Sequence, residues 1–391
     1  MKNISIRVNR ASGEFIKEWT NATFNGFTKE INSGLGECLI TLGEKIDYSG
    51  GELEIGNIVD ILISDSQTRI DGFIKIYSGY ISMIEPTIDG HKESIIVHVL
   101  GHYTKLSLDI LKDGNQVVLY SDTTTGLKTT SPASNADSGL VLRAVIERYR
   151  EETANPIIYS NAGSIPTTGE NILYKVALKK YKEAIDTIIS MYPAGYFWYC
   201  DENGLFSAKQ KPTTPTHTFE FKKHFKAINI ERSLEKVRNF LIVWNGVSSG
   251  GIFKSYKDDV SISKYGRRSE IIIDYGVENE DTADIIGSRY IEENSNPIIK
   301  LTCQIIDNNK NNVNGYDIEK INPGDTCRFI GFDPSLTDIL EDNMLITKVD
   351  YKIDFVNIEI ELKKGGVIDW QEKTAKKLDA LSSYDCPETY I

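Results

Sequence analysis

The chain has 391 residues, 40% hydrophobic and 26% charged, enough for about two to four packed domains and unlike a disordered or membrane-embedded chain. Its formal charge of −12, from 44 basic and 56 acidic residues, argues against a broad nucleic-acid-binding surface, which needs clustered Lys and Arg. The same balance suits solubility, or a passage that nucleic acid crosses without sticking.

The N-terminus from Met1 to Arg7 lacks the apolar core of a signal peptide, and no window approaches the ~18 apolar residues of a membrane span. The first ~110 residues read as all-β. Residues 3–9 alternate, with Ile4, Ile6 and Val8 on one face, and strand-like runs follow at 37–42, 58–64, 72–85 and 94–100. Turn residues such as Ser49-Gly50-Gly51 and Asp89-Gly90 separate them, which predicts a small antiparallel barrel or sandwich. Residues 121–139 are rich in Ser, Thr, Gly and Asp and are expected to be a linker or a long surface loop.

A helix is predicted from Ser138, where Leu140, Val141, Ala144, Val145 and Tyr149 make one apolar stripe. A second fits 181–192 and ends at Pro193. The run from Tyr196 to Cys200, the turn Asp201-Glu202-Asn203-Gly204 and the run from Leu205 read as a hairpin, because Asn and Gly both tolerate positive φ. Beyond the loop at 211–216, strands are expected at 227–232, 240–244, 269–274, 297–306, 326–330, 343–351 and 355–362. One helix, 281–293, interrupts them, with acids in its first turn where they complement the helix dipole. Residues 370–383 are a charged segment and a candidate terminal helix.

The first and last thirds echo one another. Gly56-Asn57 and Gly324-Asp325 each start a strand, and Ile81-Ser82-Met83-Ile84 matches Ile346-Thr347-Lys348-Val349. Alternating strands then carry Ile95, Val97 and Val99, and Ile358, Ile360 and Leu362. A glycine just before each first strand has a backbone reason, since it permits a positive-φ entry. The expected fold is mainly β with an α+β insertion: two similar β-barrel domains plus a small helix-and-hairpin module. The expected divisions are an N-terminal barrel (1–120), the α+β module (121–225), a second barrel with one helix (226–369) and a charged C-terminal segment (370–391).

Several motifs invite a chemical reading. Gly246-Val247-Ser248-Ser249-Gly250 fits a nucleophile elbow, which needs a helix after the Ser and a His later in the chain. All five histidines (His91, His98, His102, His217, His224) come earlier, so a hairpin tip is expected. His98 and His102 have the spacing of a zinc-binding helix but lie in a strand pattern, which sets them about 13 Å apart. The loop 307–317 hints at calcium, but Gly315 is misplaced and Ile318 stands where a Glu is needed. The basic runs at 179–182 and 222–226 read as solvated faces, or as contacts with a neighbouring subunit or passing DNA. No catalytic, cofactor-binding or metal-ligating residue is nominated, and no enzymatic activity is expected. Five widely spaced cysteines (Cys38, Cys200, Cys303, Cys327, Cys386) are odd in number and predict reduced thiols and synthesis in a cytoplasm.

The order of these elements resembles the tail hub, or baseplate hub, proteins of tailed bacteriophages, in a short form without an enzymatic extension. The resemblance rests on Val237-Arg238-Asn239 before the strand at 240–244, Tyr265-Gly266 before 271–275, Asn296-Pro297 after the helix, and Pro323-Gly324-Asp325. Upstream it rests on Ser78-Gly79-Tyr80-Ile81, on Leu100-Gly101-His102-Tyr103, and on the hairpin from Trp198 to Leu205 as the inserted module. It implies a virion structural protein: a homotrimer whose six similar barrels adapt a hexameric tail tube, or a distal tail protein, to a three-fold tip, spike or fibre. DNA or a tape-measure protein would pass its lumen. The other reading is a tail protein that binds or cleaves host-surface carbohydrate, for which the 20 Tyr, 14 Phe and 4 Trp could supply stacking platforms.

Overall fold

A computed structural model describes residues 2–362 except 20–21, 44–50, 66–72, 90–91, 112–116, 123–125, 130–135, 154–156, 162, 177–178, 248–249, 307–315 and 332–342. The candidate terminal helix at 370–383 and most of the 307–317 loop therefore lie outside the described residues.

The first strands are β1 (Lys2–Asn9), β2 (Phe15–Trp19), β3 (Ala22–Phe24), β4 (Phe27–Glu30) and β5 (Ser33–Gly34). Then come β6 (Cys38–Leu42), β7 (Ile58–Asp65), β8 (Ile74–Asp89) and β9 (Lys92–Gly101). Alternation sets their faces: Cys38, Ile40 and Leu42 of β6 are buried, as are Ile6 and Val8 of β1, while Ile4 near the strand's start stays exposed. Seven of them form one curled sheet in the order β2-β1-β7-β8-β9-β6-β3.

The middle of the chain opens with β10 (Val117–Asp122) and β11 (Gly126–Thr129), which pair with each other. This hairpin occupies part of the stretch expected to be a linker. The stretch's β-branched threonines suit a strand as well as a loop, so polarity alone misreads it. After β12 (Ala136–Asp137) comes α1 (Ser138–Glu152), capped by Asp137 Oδ1, which accepts from the Gly139 amide at 2.8 Å. Next are β13 (Asn171–Ile172), β14 (Lys175–Val176), α2 (Tyr181–Ser190) and the hairpin of β15 (Tyr196–Cys200) and β16 (Phe206–Gln210). In its turn Gly204 has φ +79°. The turn is the expected Asp201-Glu202-Asn203-Gly204, and Asp201 Oδ1 closes it as an Asx turn by accepting from the amides of Asn203 and Leu205.

The last part contains β17 (His217–Glu220), β18 (Ile228–Ser233), β19 (Phe240–Trp244), β20 (Phe253–Lys257), α3 (Asp259–Tyr265) and β21 (Ser269–Ile273). It ends with α4 (Glu280–Asn294), β22 (Ile298–Ile306), β23 (Thr326–Ile330), β24 (Met344–Tyr351) and β25 (Phe355–Leu362). Asn279 caps α4, its Oδ1 accepting from the Thr282 amide at 2.9 Å. A second sheet runs β17-β23-β24-β25-β22-β18, and β4 from the first third adds to β24. The helix expected inside the second barrel is not in it. α4 covers one face of a separate sheet, β20-β19-β21, and Leu241, Val243, Ala283 and Ile286 share a core with α1, α2, Trp198 and Phe206.

The two large sheets repeat one connectivity. Numbered by chain order, six strands of each run 1-4-5-6-3-2 across the sheet: β1-β7-β8-β9-β6-β3 and β17-β23-β24-β25-β22-β18. The outermost pair alone differs, antiparallel for β1 and β7 but parallel for β17 and β23. The echo reaches single bonds. The Gly56 amide donates to Ile81 O at 2.9 Å and the Ile81 amide to Asn57 O at 2.9 Å. The Gly324 amide donates to Ile346 O at 2.8 Å and the Ile346 amide to Asp325 O at 2.9 Å. Both glycines have positive φ, +96° and +91°. Each long strand then bulges, between Ile81 and Met83 and between Ile346 and Lys348.

Candidate assembly surfaces

The seam between the barrels is built on Phe27. After β3 the chain turns through Gly26 at φ +98°, where a side chain would sit 2.2 Å from Tyr351 O. The turn frees β4 to run antiparallel to Lys348–Tyr351. Phe27 then lies between Tyr77 of the first barrel (ring centroids 4.8 Å apart) and Tyr351 of the second (5.1 Å). Tyr77 is itself pinned, its hydroxyl bonding Val99 O at 2.8 Å. Lys29 is buried beside them, its Nζ 3.0 Å from Asn322 Oδ1, and burial lowers its pKa. Both barrels thus share one continuous core.

The sheet β20-β19-β21 has a covered face and a bare one. Leu241 and Val243 point to α4 and are fully buried. On the other side Ile242 pairs with Ile271 and Trp244 with Ile273 and Phe253. Ile271 is 47% exposed, Ile273 49%, Phe253 64% and the neighbouring Tyr275 73%. The Arg267 guanidinium lies 3.6 Å from the Phe240 ring centroid at the rim. Contiguous apolar residues with a polar border mark a contact surface. The signal was present in the sequence: Phe240-Leu241-Ile242-Val243-Trp244 and Ile271-Ile272-Ile273 are unbroken apolar runs, the pattern of strands covered on both sides. Among the described residues, this chain covers one.

Two of the resemblance motifs, Val237-Arg238-Asn239 and Tyr265-Gly266, meet at one knot beside this sheet. Asn239 is fully buried; its Nδ2 donates to Ser261 Oγ (3.0 Å) and Gly266 O (2.8 Å), and its Oδ1 accepts from the Arg268 amide at 2.7 Å. The Arg238 amide donates to Asn294 O at 2.8 Å, bringing in the end of α4. Across the sheet, Lys254 Nζ lies 2.9 Å from both Glu280 and Asp284, and Tyr256 donates to Asp284 at 2.8 Å. Gly287 on α4 faces Tyr256, where a Cβ would sit 2.2 Å from the ring.

The chemical motifs find structural roles. The glycine-serine stretch at 246–250 connects the antiparallel strands β19 and β20, a hairpin connection rather than a strand-to-helix elbow; Ser248 and Ser249 lie outside the described residues. His98 bonds Glu37 through Nδ1 at 2.6 Å and reaches Glu85 at 3.4 Å; the Glu37 bond raises its pKa most, desolvation opposes it, and Glu85 adds a lesser push upward. His102 is buried, bonds Ser78 Oγ at 2.9 Å, and burial pushes its pKa down to about 3. Lys179 bonds the buried Asp274 at 2.8 Å, and Lys182 bonds Asp186 at 2.7 Å and lies over Trp198. Lys223 pairs with Glu220 at 3.1 Å. Among the described residues no group of His, Cys, Asp or Glu is arranged to hold a metal, and no helix is long and apolar enough to cross a membrane. Cys38, Cys200, Cys303 and Cys327 are buried and unpaired, and burial raises each thiol pKa.

No protein-family model matches the chain, and no curated protein matches it. Solved structures do. The 43 kDa tail protein of prophage MuSo2 from Shewanella oneidensis is 15% identical with a TM-score of 0.57, over 92% of this chain and 98% of that one. The tail protein from Neisseria meningitidis MC58 is 12% identical with a TM-score of 0.55, over 94% and 97%. The prophage tail protein gp18 from Listeria monocytogenes EGD-e is 12% identical with a TM-score of 0.54, over 96% and 99%. At such identities the likeness is one of fold: along nearly its whole length this chain has the fold of phage tail proteins.

Proposed function

We propose that the chain is a structural protein of a phage tail: a trimeric hub at its distal end that adapts a hexameric tube to a three-fold tip and lines the ejection channel. One observation carries this reading. Two barrels of the same connectivity sit side by side in one chain, joined by β4 across β24. A cyclic trimer of such a chain presents six similar barrels, and a head-to-tail interface closes at three. The bare face of β20-β19-β21 is the surface that meets a tail neighbour above or below. In a channel for DNA, the excess of acid over base belongs on the lumen, where it prevents adhesion.

The buried aromatics favour this reading over carbohydrate binding. Trp19, Trp198, Tyr77, Tyr149, Tyr174, Tyr181 and Tyr192 are spent inside the cores. Native mass spectrometry or light scattering well above micromolar concentration is expected to give three times the mass of the chain. A monodisperse monomer there would overturn the trimer. An image of the assembled ring is expected to show an acidic lumen, and a basic one would overturn that assignment.

A further inference from the structure

The seam inside the chain uses one edge of β24. β23 pairs with Met344 and Leu345 at its start, and β4 covers Lys348–Tyr351 beyond the bulge. Since Ile81 stands where Ile346 stands, the same stretch of the first barrel is residues 83–86 of β8. There β7 pairs only up to Tyr80, and Gly56 and Asn57 bond Ile81. Beyond Ile81, among the described residues, no strand lies on that edge. Met83 is 43% exposed, and Glu85 and Pro86 are exposed as well.

We propose that this open edge of β8 receives β18 of a second copy of the chain, so that the seam between copies repeats the seam within one. The proposal rests on the cyclic assembly above. β18 holds the place of β3: β3 pairs with β6 and β18 with β22, so Phe24 corresponds to Ile228 and Phe27–Glu30 to residues 231–234. β18 ends its sheet, and among the described residues nothing pairs with its outer edge. It remains on β22 up to Ser233, whereas β4 has swung away through Gly26.

Transposing the internal register tests the fit. Asp350 faces Thr28 inside the chain, which sets Glu85 opposite Arg232 of the partner subunit. It also sets Met83 opposite Leu234 of the partner subunit; in this chain Leu234 is likewise a large exposed apolar residue. Opposite charges and paired apolar residues at facing positions are the units of sheet stabilisation. Pro86 falls where Tyr351 pairs with Phe27 and has no amide hydrogen, so the new seam stops at Glu85. A short edge ended by proline also resists unregulated strand addition.

The test is oxidation of the full chain carrying Met83→Cys and Leu234→Cys together, with each single variant beside it. The double variant is expected to give dimer and trimer bands on a non-reducing gel while each single variant gives neither. Ile84→Pro is expected to abolish the trimer in native mass spectrometry while circular dichroism stays native. A wild-type trimer whose double variant does not cross-link would overturn the seam and leave the hub intact. So would a folded Ile84→Pro variant that remains trimeric. A monomeric wild type would overturn the cyclic assembly and the seam with it.

Discussion

His98 and His102, four residues apart, answer to pH in opposite directions. His102 is buried and resists its proton until about pH 3, whereas an unfolded chain takes one up near the ordinary 6.5. The unfolded state therefore binds more protons as pH falls below ~6.5, and stability is lost on that side. His98 is held above 6.5 by Glu37, so its contribution is fully present below that value and fades as pH rises through its folded value. We expect His102→Asn to flatten the acid limb of the stability curve between about pH 6 and 4, read by chemical denaturation. An unchanged limb would contradict this. The sequence pattern sets both on one strand, but β9 ends at Gly101 and His102 opens a 3₁₀ turn; which of the two is buried is a matter of sheet order and cannot be seen in the local pattern. Asn239 shows the same limit. As one of several turn residues it resembled a family motif, yet only the fold reveals that it ties Gly266, Ser261 and Arg268 together. Asn239→Ala removes all three bonds from a fully buried position and is expected to cost about 1–3 kcal/mol in denaturant titration.

At the scale of elements, long alternating strands were readable and the short exceptional one was not. β4 has four residues, below the length at which a period can be recognised, and its partner lies at the far end of the chain. Gly26→Ala is expected to lower stability by at least ~2 kcal/mol, since positive φ is strained and the new methyl meets Tyr351 O. Thermal denaturation will check it; wild-type stability would mean the seam tolerates a shifted β4. The repeat was half legible. Gly56 with Gly324 and Ile81 with Ile346 are true counterparts down to their hydrogen bonds. The following strands were matched with a shift: Ile81 pairs with Val99, 18 residues on, but Ile346 pairs with Ile360, only 14 residues on. The first hairpin is longer, so Val97 corresponds to Ile358. Similar alternation conceals such slips, because period two has no internal marker.

Over the whole molecule, composition and periodicity yielded the mainly β class, the two barrels and the inserted module. They misplaced α4, β19 and β21, since adjacency in sequence suggested one domain where burial assigns these elements to the other core. The bare face of that second unit belongs to this scale, because the contact proposed for it lies outside the chain. Ile271→Ser with Ile273→Ser is expected to leave the fold and the trimer unchanged, while reducing aggregation of the free protein and weakening incorporation into tails. Normal incorporation in a complementation assay would show that the face serves no assembly contact.

The joint between the barrels sets an order of events during synthesis. Thr28 leaves the ribosome ~320 residues before Asp350, its partner in β24. At roughly 5–20 residues per second that is a wait on the order of 15–65 s. Through most of it Phe27 can have Tyr77 on one side but lacks Tyr351 on the other. The N-terminal barrel thus begins its existence with a sticky flank, so crowding between neighbouring polysomes, more than any weakness of the finished protein, should limit its yield.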